Sequence, residues 1–336
     1  NGAWLTNCNG EILAFNTPDS EFDNSNCSVG NGGSGSGTNL TGAFDQVRRM
    51  AYAMGQLNNI NDPATNKALT AYTDYGNLYA DPGADLVQLQ TQNFISLPAG
   101  SRRFVISNVD IAAVNCTFSG TDQAQLVFYL LDGSNTRRIN QDPINVCTDP
   151  TAVQYTPPSL NTNGAGSTSS GPVWTARMLT DRSLLTQTDS VGLQMVNEQA
   201  SGYGNDNALD NIQFADASPK LDKSFTPEVV DVGSHSRMTF TVTNTSDLLA
   251  KLGWSFVDVL PEQLVVSEEP NIETDCVSGA ITVSEDKEQV TYAGDLTAGQ
   301  ASCTLSIDVT SATAGTYTNG AANLHDVVGL RLPNDA

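Results

Sequence analysis

Apolar and polar positions fall into two textures along the chain. From about Ala68 onward, short apolar runs follow one another: Leu86–Leu89, Phe94–Leu97, then the long run Phe104–Val114. Leu126–Leu131 is continuously apolar and stops at Asp132-Gly133, a hairpin-turn dipeptide. Val173–Met178, Ser190–Asn197 and Ala208–Phe214 continue the series to about eight strands, the count of a jelly-roll sandwich. Two stretches rich in Gly, Ser and Asn, Asn31–Thr38 and Asn161–Gly171, read as loops. Before the strands, Phe44, Val47, Met50, Ala51 and Met54 recur near helical spacing and make the one helix candidate, with a short strand as the alternative.

After Pro219 the alternation becomes cleaner. Met238, Phe240 and Val242 alternate with Arg237, Thr239, Thr241 and Thr243; Cys303, Leu305, Ile307 and Val309 alternate with Thr304, Ser306, Asp308 and Thr310. Trp254, Phe256, Asp258 and Leu260 share one parity, and Leu264–Val266, Ile281–Val283, Val290–Tyr292 and Tyr317–Ala321 add further short strands. This pattern predicts an immunoglobulin-like sandwich of about seven strands. The expected fold class is therefore all-β. A jelly-roll head spans 1–216, an immunoglobulin-like unit 217–325, and an extended tail 326–336.

Three strands of the second unit break their apolar face with one polar residue. Lys223 lies between Leu221 and Phe225, Asp258 between Phe256 and Leu260, and Asn319 between Tyr317 and Ala321. Strand parity turns all three inward. Burial makes a lysine a neutral, nucleophilic amine and keeps a carboxylic acid protonated. An asparagine amide bonded to that acid can be attacked by the amine with loss of ammonia, giving a Lys223–Asn319 isopeptide bond. The alternative is a plain Lys223–Asp258 ion pair, with the lysine snorkelling to solvent and Asn319 bonding backbone at a turn.

The segments Lys223-Ser-Phe-Thr-Pro227, Val232-Gly233, Phe240-Thr-Val-Thr-Asn244, Asp258-Val-Leu-Pro261 and Gly315-Thr-Tyr-Thr-Asn319 together resemble the conserved-repeat domain of bacterial surface proteins. That family is catalogued as a domain of unknown function and occurs as immunoglobulin-like stalk repeats in cell-wall proteins and adhesins. The first half is similar to the domain that precedes such repeats. The resemblance implies a secreted or surface-attached bacterial structural or adhesive protein. Adhesin domains of related architecture carry isopeptide bonds with a catalytic acid, which implies those roles for Lys223, Asn319 and Asp258.

Composition narrows the field. With 37 acidic against 15 basic residues the net charge is -22, which repels nucleic acid and anionic membranes. No apolar run is long enough to span a bilayer. The six cysteines fall as local pairs, Cys8 with Cys27, Cys116 with Cys147, Cys276 with Cys303, which predicts three disulfides and an extracellular location. The chain starts at Asn1 without a signal peptide and reads as a processed protein.

Asp206 and Asn207 just before, and Asp210 within, the closing strand Ala208–Phe214 resemble the corresponding stretch of secreted jelly-roll modules, in which a neighbouring aspartate often holds a structural calcium. Calcium favours such oxygen ligands; the alternative is an Asn/Asp turn bonded to its own backbone. A second class of function is glycan binding by the head. Tyr72, Tyr75, Tyr79, Trp174 and Tyr203 are the rings on which sugars would stack, against ordinary partial burial. No catalytic motif is present, and His235 reads as a loop residue, so an enzyme is not expected. The expected partners are a host or matrix protein, a glycan, or neighbouring copies joined through the strand-like tail.

Overall fold

A computed structural model describes residues 9–18, 40–71, 86–97, 102–117, 123–160, 171–199 and 206–332. Almost every element is a strand. In the first half these are β1 (Asn9–Ala14), β2 (Lys67–Ala71), β3 (Leu86–Gln90), β4 (Ile95–Ser96), β5 (Phe104–Ala113) and β6 (Leu126–Asp132). Then come β7 (Asn135–Arg138), β8 (Val153–Tyr155), β9 (Val173–Leu179), β10 (Leu184–Leu185), β11 (Ser190–Asn197) and β12 (Asn207–Asp216). The helix α1 (Leu40–Leu57) contains the periodic stretch and extends it at both ends.

One sheet of the first half has the order β1-β2-β12-β5-β9-β8, with β10 on β5; the other runs β3-β11-β6-β7, with β4 on β11. Val105, Val109 and Ile111 of β5 meet Phe128 and Leu130 of β6 and Leu193 and Met195 of β11 between the two sheets. The outer face of the larger sheet is covered by α1, whose Val47, Met50, Ala51 and Met54 pack on Ala112, Val114 and Ala208. Burial on both faces explains why Phe104–Val114 carries apolar residues at both parities instead of alternating, with Ser107 and Asp110 buried among them. The expected sandwich is present, with a helical layer added. Of the predicted disulfides, Cys116–Cys147 and Cys276–Cys303 are formed; Cys8 and Cys27 lie outside the described residues.

The second half comprises β13 (Lys220–Thr226), β14 (His235–Thr243), β15 (Lys251–Val259), β16 (Val265–Val266) and β17 (Glu273–Thr274). It continues with β18 (Val277–Val283), β19 (Gln289–Leu296), β20 (Ser302–Thr310) and β21 (Leu324–Val328). Two antiparallel sheets, β13-β14-β20-β16 with β17 on β20, and β18-β19-β15-β21, enclose one core. Cys276, just before β18, and Cys303 of β20 tie one sheet to the other.

The halves are joined by more than a linker. Phe104 and Ile106 of β5 belong to the core of the second half, beside Leu221 and Leu330. The Phe104 N–H donates to Ser218 Oγ (2.9 Å), and its carbonyl accepts from the Ala217 N–H (2.8 Å). Residues 326–332, read from sequence as part of an extended tail, complete this joint instead. Gly329 donates to the Arg102 carbonyl, and Arg331 is hydrogen-bonded between Pro219 and Leu221. A Cβ on Gly329 would stand 2.6 Å from the Phe104 ring, and its φ of +69° also favours glycine. The backbone groups that a donated tail strand would offer at Arg331 are therefore used within the chain.

Phe104 fills a core outside its own half, so Phe104→Ala should cost roughly 3–5 kcal/mol. In thermal unfolding the loss should fall on the second half, and a fragment starting at residue 219 should unfold at a lower temperature than the same residues in the whole chain.

Candidate functional site

The inward parity read from sequence holds for Lys223 and Asp258. Lys223, in register with Phe240 on β14, leaves only 6% of its side chain exposed, and Asp258 leaves none. Asn319 arrives differently. It lies in the irregular segment between β20 and β21, not on a last strand, and is 7% exposed. β13 edges one sheet and β21 the other, so the site bridges the two sheets of the sandwich.

One carboxyl group holds the other two side chains. Lys223 Nζ donates to Asp258 Oδ1 at 2.8 Å, and Asn319 Nδ2 donates to Asp258 Oδ2 at 2.9 Å. The amine lies over the Phe240 ring, 4.8 Å from its centroid, and the amide nitrogen is 3.6 Å from Met238 Sδ. Met238 and Phe240 are successive inward residues of β14, so amine and amide rest on adjacent positions of one strand. Around them Phe240, Phe256 and Tyr292 pack with centroids 4.8 Å apart. Asn319 Oδ1 is buried and has no hydrogen-bond partner among the described residues.

Electrostatics push this pair toward its neutral forms. Burial lowers the Lys223 pKa, and the nearby Asp258 does not compensate. Burial raises the Asp258 pKa, against the opposing pull of Lys223 and Asn319. A low-dielectric site disfavours two separated charges, so proton transfer from the amine to the acid is eased.

A second buried lysine, which sequence reasoning missed, behaves differently. Lys251 is fully buried and donates to Asp247 Oδ1 (2.7 Å) and to the Leu249 carbonyl (3.1 Å). Burial again lowers the lysine pKa. For Asp247, burial is outweighed by hydrogen bonds from Lys251, Thr245 and the Leu249 N–H, which hold its pKa below the ordinary carboxylate range. Asn244 points its Nδ2 at the Leu249 and Gln300 carbonyls. Here an ionised carboxylate faces a lysine with no amide bonded to it, an arrangement for an ion pair.

The other predicted residues are dispersed. Trp174 is half-buried at the start of β9; Tyr72, Tyr75, Tyr79 and Tyr203 lie outside the described residues. Asp206 and Asn207 are buried at the start of β12, and Asp206 Oδ2 accepts from Gln46 Nε2 at 2.5 Å. Asp210 accepts from Asn66 Nδ2 (3.0 Å) and from the N–H of Asn211 (2.8 Å). Beside it, the buried Asp110 binds Arg177 Nε at 2.8 Å and Asn211 Nδ2 at 2.8 Å, a network tying β5, β9 and β12. Among the described residues, no group of three or more His, Cys, Asp or Glu side chains is placed to hold a metal. His235 is exposed, with Nδ1 2.6 Å from Ser267 Oγ. Among the described residues, no helix is long and apolar enough to cross a membrane.

Residues 219–336 match a family described only as a domain of unknown function, DUF7933. No curated protein sequence matches the chain. Among solved structures, the collagen binding domain of Erysipelothrix rhusiopathiae surface protein RspB aligns with 67% of this chain and 81% of its own, at 10% identity and a TM-score of 0.19. That score is too low for the likeness to bear on the fold or on the site.

Proposed function

We propose that this chain is an extracellular structural or adhesive protein whose second sandwich locks itself with an isopeptide bond between Lys223 and Asn319. The observation that carries the reading is the single buried carboxyl of Asp258, holding the amine on one oxygen and the amide on the other. The surface role is supported by the resemblance to bacterial surface repeats, by the disulfides and by the acidic composition.

The chemistry uses only these three side chains. Lys223 passes a proton to Asp258 and becomes a neutral amine. Half a turn of the Asn319 amide brings its unpartnered Oδ1 onto the protonated acid, which polarises the carbonyl. Lys223 Nζ then attacks Cγ, and the tetrahedral oxyanion is stabilised by the Asp258 proton. The attacking nitrogen's proton passes through Asp258 to the departing nitrogen. The Cγ–Nδ2 bond breaks, one ammonia leaves, and Nζ–Cγ remains as an amide. No redox step or external reactant is needed. The product removes a buried ion pair and joins β13 to the segment leading into β21.

Tryptic digestion of the reduced protein tests this directly. The expected result is a branched peptide joining residues 221–237 to residues 288–331, with no cleavage after Lys223. Separate linear peptides, with cleavage after Lys223, would favour the plain ion pair.

A further inference from the structure

The register of the larger first-half sheet gathers several chemically distinctive residues at one end. Ala71 pairs with Asn207, Asn207 with Ala113, and Ala113 with Trp174, so these four form one row. Over that end lies α1, where Gln46 and Arg49 occupy adjacent positions three residues apart on one face. Between them opens a cleft of about 140 Å³, lined by Gln46, Arg49, Asn115, Thr117 and Trp174.

The cleft is built rather than incidental. Arg49 is 1% exposed yet faces it, and its guanidinium donates to the Gly171 carbonyl (2.5 Å) and the Pro157 carbonyl (3.3 Å). Those two bonds hold the backbone just after β8 and just before β9 to one guanidinium, beside the half-buried Trp174. Gln46 is fixed in turn by its bond to the buried Asp206. Asn115, two residues past β5, is in the left-handed region at φ 59°, a conformation asparagine tolerates better than most residues.

A rigid indole beside a guanidinium, two amides and a hydroxyl suits a ligand with an apolar face and a rim of hydroxyls. That volume lies below the roughly 300–1,000 Å³ of drug-sized ligand sites, so the cleft admits one ring at most and not a chain. A net charge of -22 disfavours a polyanion. We propose that this cleft binds a single ring of a neutral saccharide, stacked on Trp174 with its hydroxyls on Arg49, Asn115 and Thr117. The site lies outside the Lys223 sandwich and stands or falls without it.

The test uses the whole chain on a printed panel of neutral, sialylated and sulfated glycans, then tryptophan-fluorescence titration with the free sugar of the brightest feature. Binding to a defined neutral sugar is expected, weakened by about tenfold or more in Thr117→Val and in Trp174→Ala, and unchanged in Glu228→Gln, an exposed position of the second sandwich. Thr117 is exposed, so its variant separates a lost contact from a loosened β9. No binding above background, binding confined to charged glycans, or binding that both variants retain would overturn the proposal.

Discussion

Asn319→Ala should lower the unfolding temperature of the second sandwich by roughly 10–20 °C. The bond from Lys223 to Asn319 closes a loop of roughly 100 residues, and chain entropy alone assigns such a cross-link about 4–5 kcal/mol. The substitution leaves Lys223 and Asp258 in place, 2.8 Å apart, so it spares the ion pair. If the three side chains were only hydrogen-bonded, it would remove one bond to Asp258 and cost about 1–2 kcal/mol, a shift of a few degrees. Differential scanning calorimetry separates the two magnitudes.

Asp258→Asn should be worse. It removes the group that activates both partners, so the bond does not form, and it leaves Lys223 buried without a counter-charge, an added cost of about 3–5 kcal/mol. Its pH dependence follows from burial, which lowers the Lys223 pKa even with Asp258 present. Between that lowered value and the ordinary lysine value, the unfolded chain binds more protons than the folded one, so stability rises with pH. The variant should therefore gain stability as the solution is made alkaline, up to the range where free lysine titrates. Urea unfolding at several pH values measures this. A variant as stable as Asn319→Ala, with a flat pH profile, would mean that Lys223 reaches solvent once its partner is gone.

Much of this site was legible because β13 and β15 alternate strictly where Lys223 and Asp258 sit, so parity alone turns both inward. Asn319 could be chosen by residue type and spacing but not placed, because it lies on no strand and its position depends on how the chain returns to β21. Lys251 shows where parity fails. Counting back from Trp254 puts Lys251 on the outer face and Leu252 inside. A bulge between Leu252 and Trp254, with Gly253 at φ +79°, slips the register and reverses both. Leu252 is exposed and Lys251 is buried.

The joint was hidden for another reason. Phe104 and Ile106 lie in the same apolar run as Val105 and Val109, and alternation along β5 gives no sign that one face enters the core of a different sandwich. That information resides in the path of residues 329–331, which pair with Arg102 and with Pro219 and Leu221 across long sequence separations. The helix was visible from its spacing, but not that it would cover the larger sheet and form one wall of a cleft.

The most direct measurement of the central claim is the intact mass of the purified, disulfide-reduced chain beside those of Asn319→Ala and Asp258→Asn. With the Lys223–Asn319 bond formed, the native chain is lighter than its sequence by one ammonia, and both variants have their full calculated masses. A native chain at full mass, recovered folded, would contradict it and leave Lys223 and Asp258 as a buried ion pair.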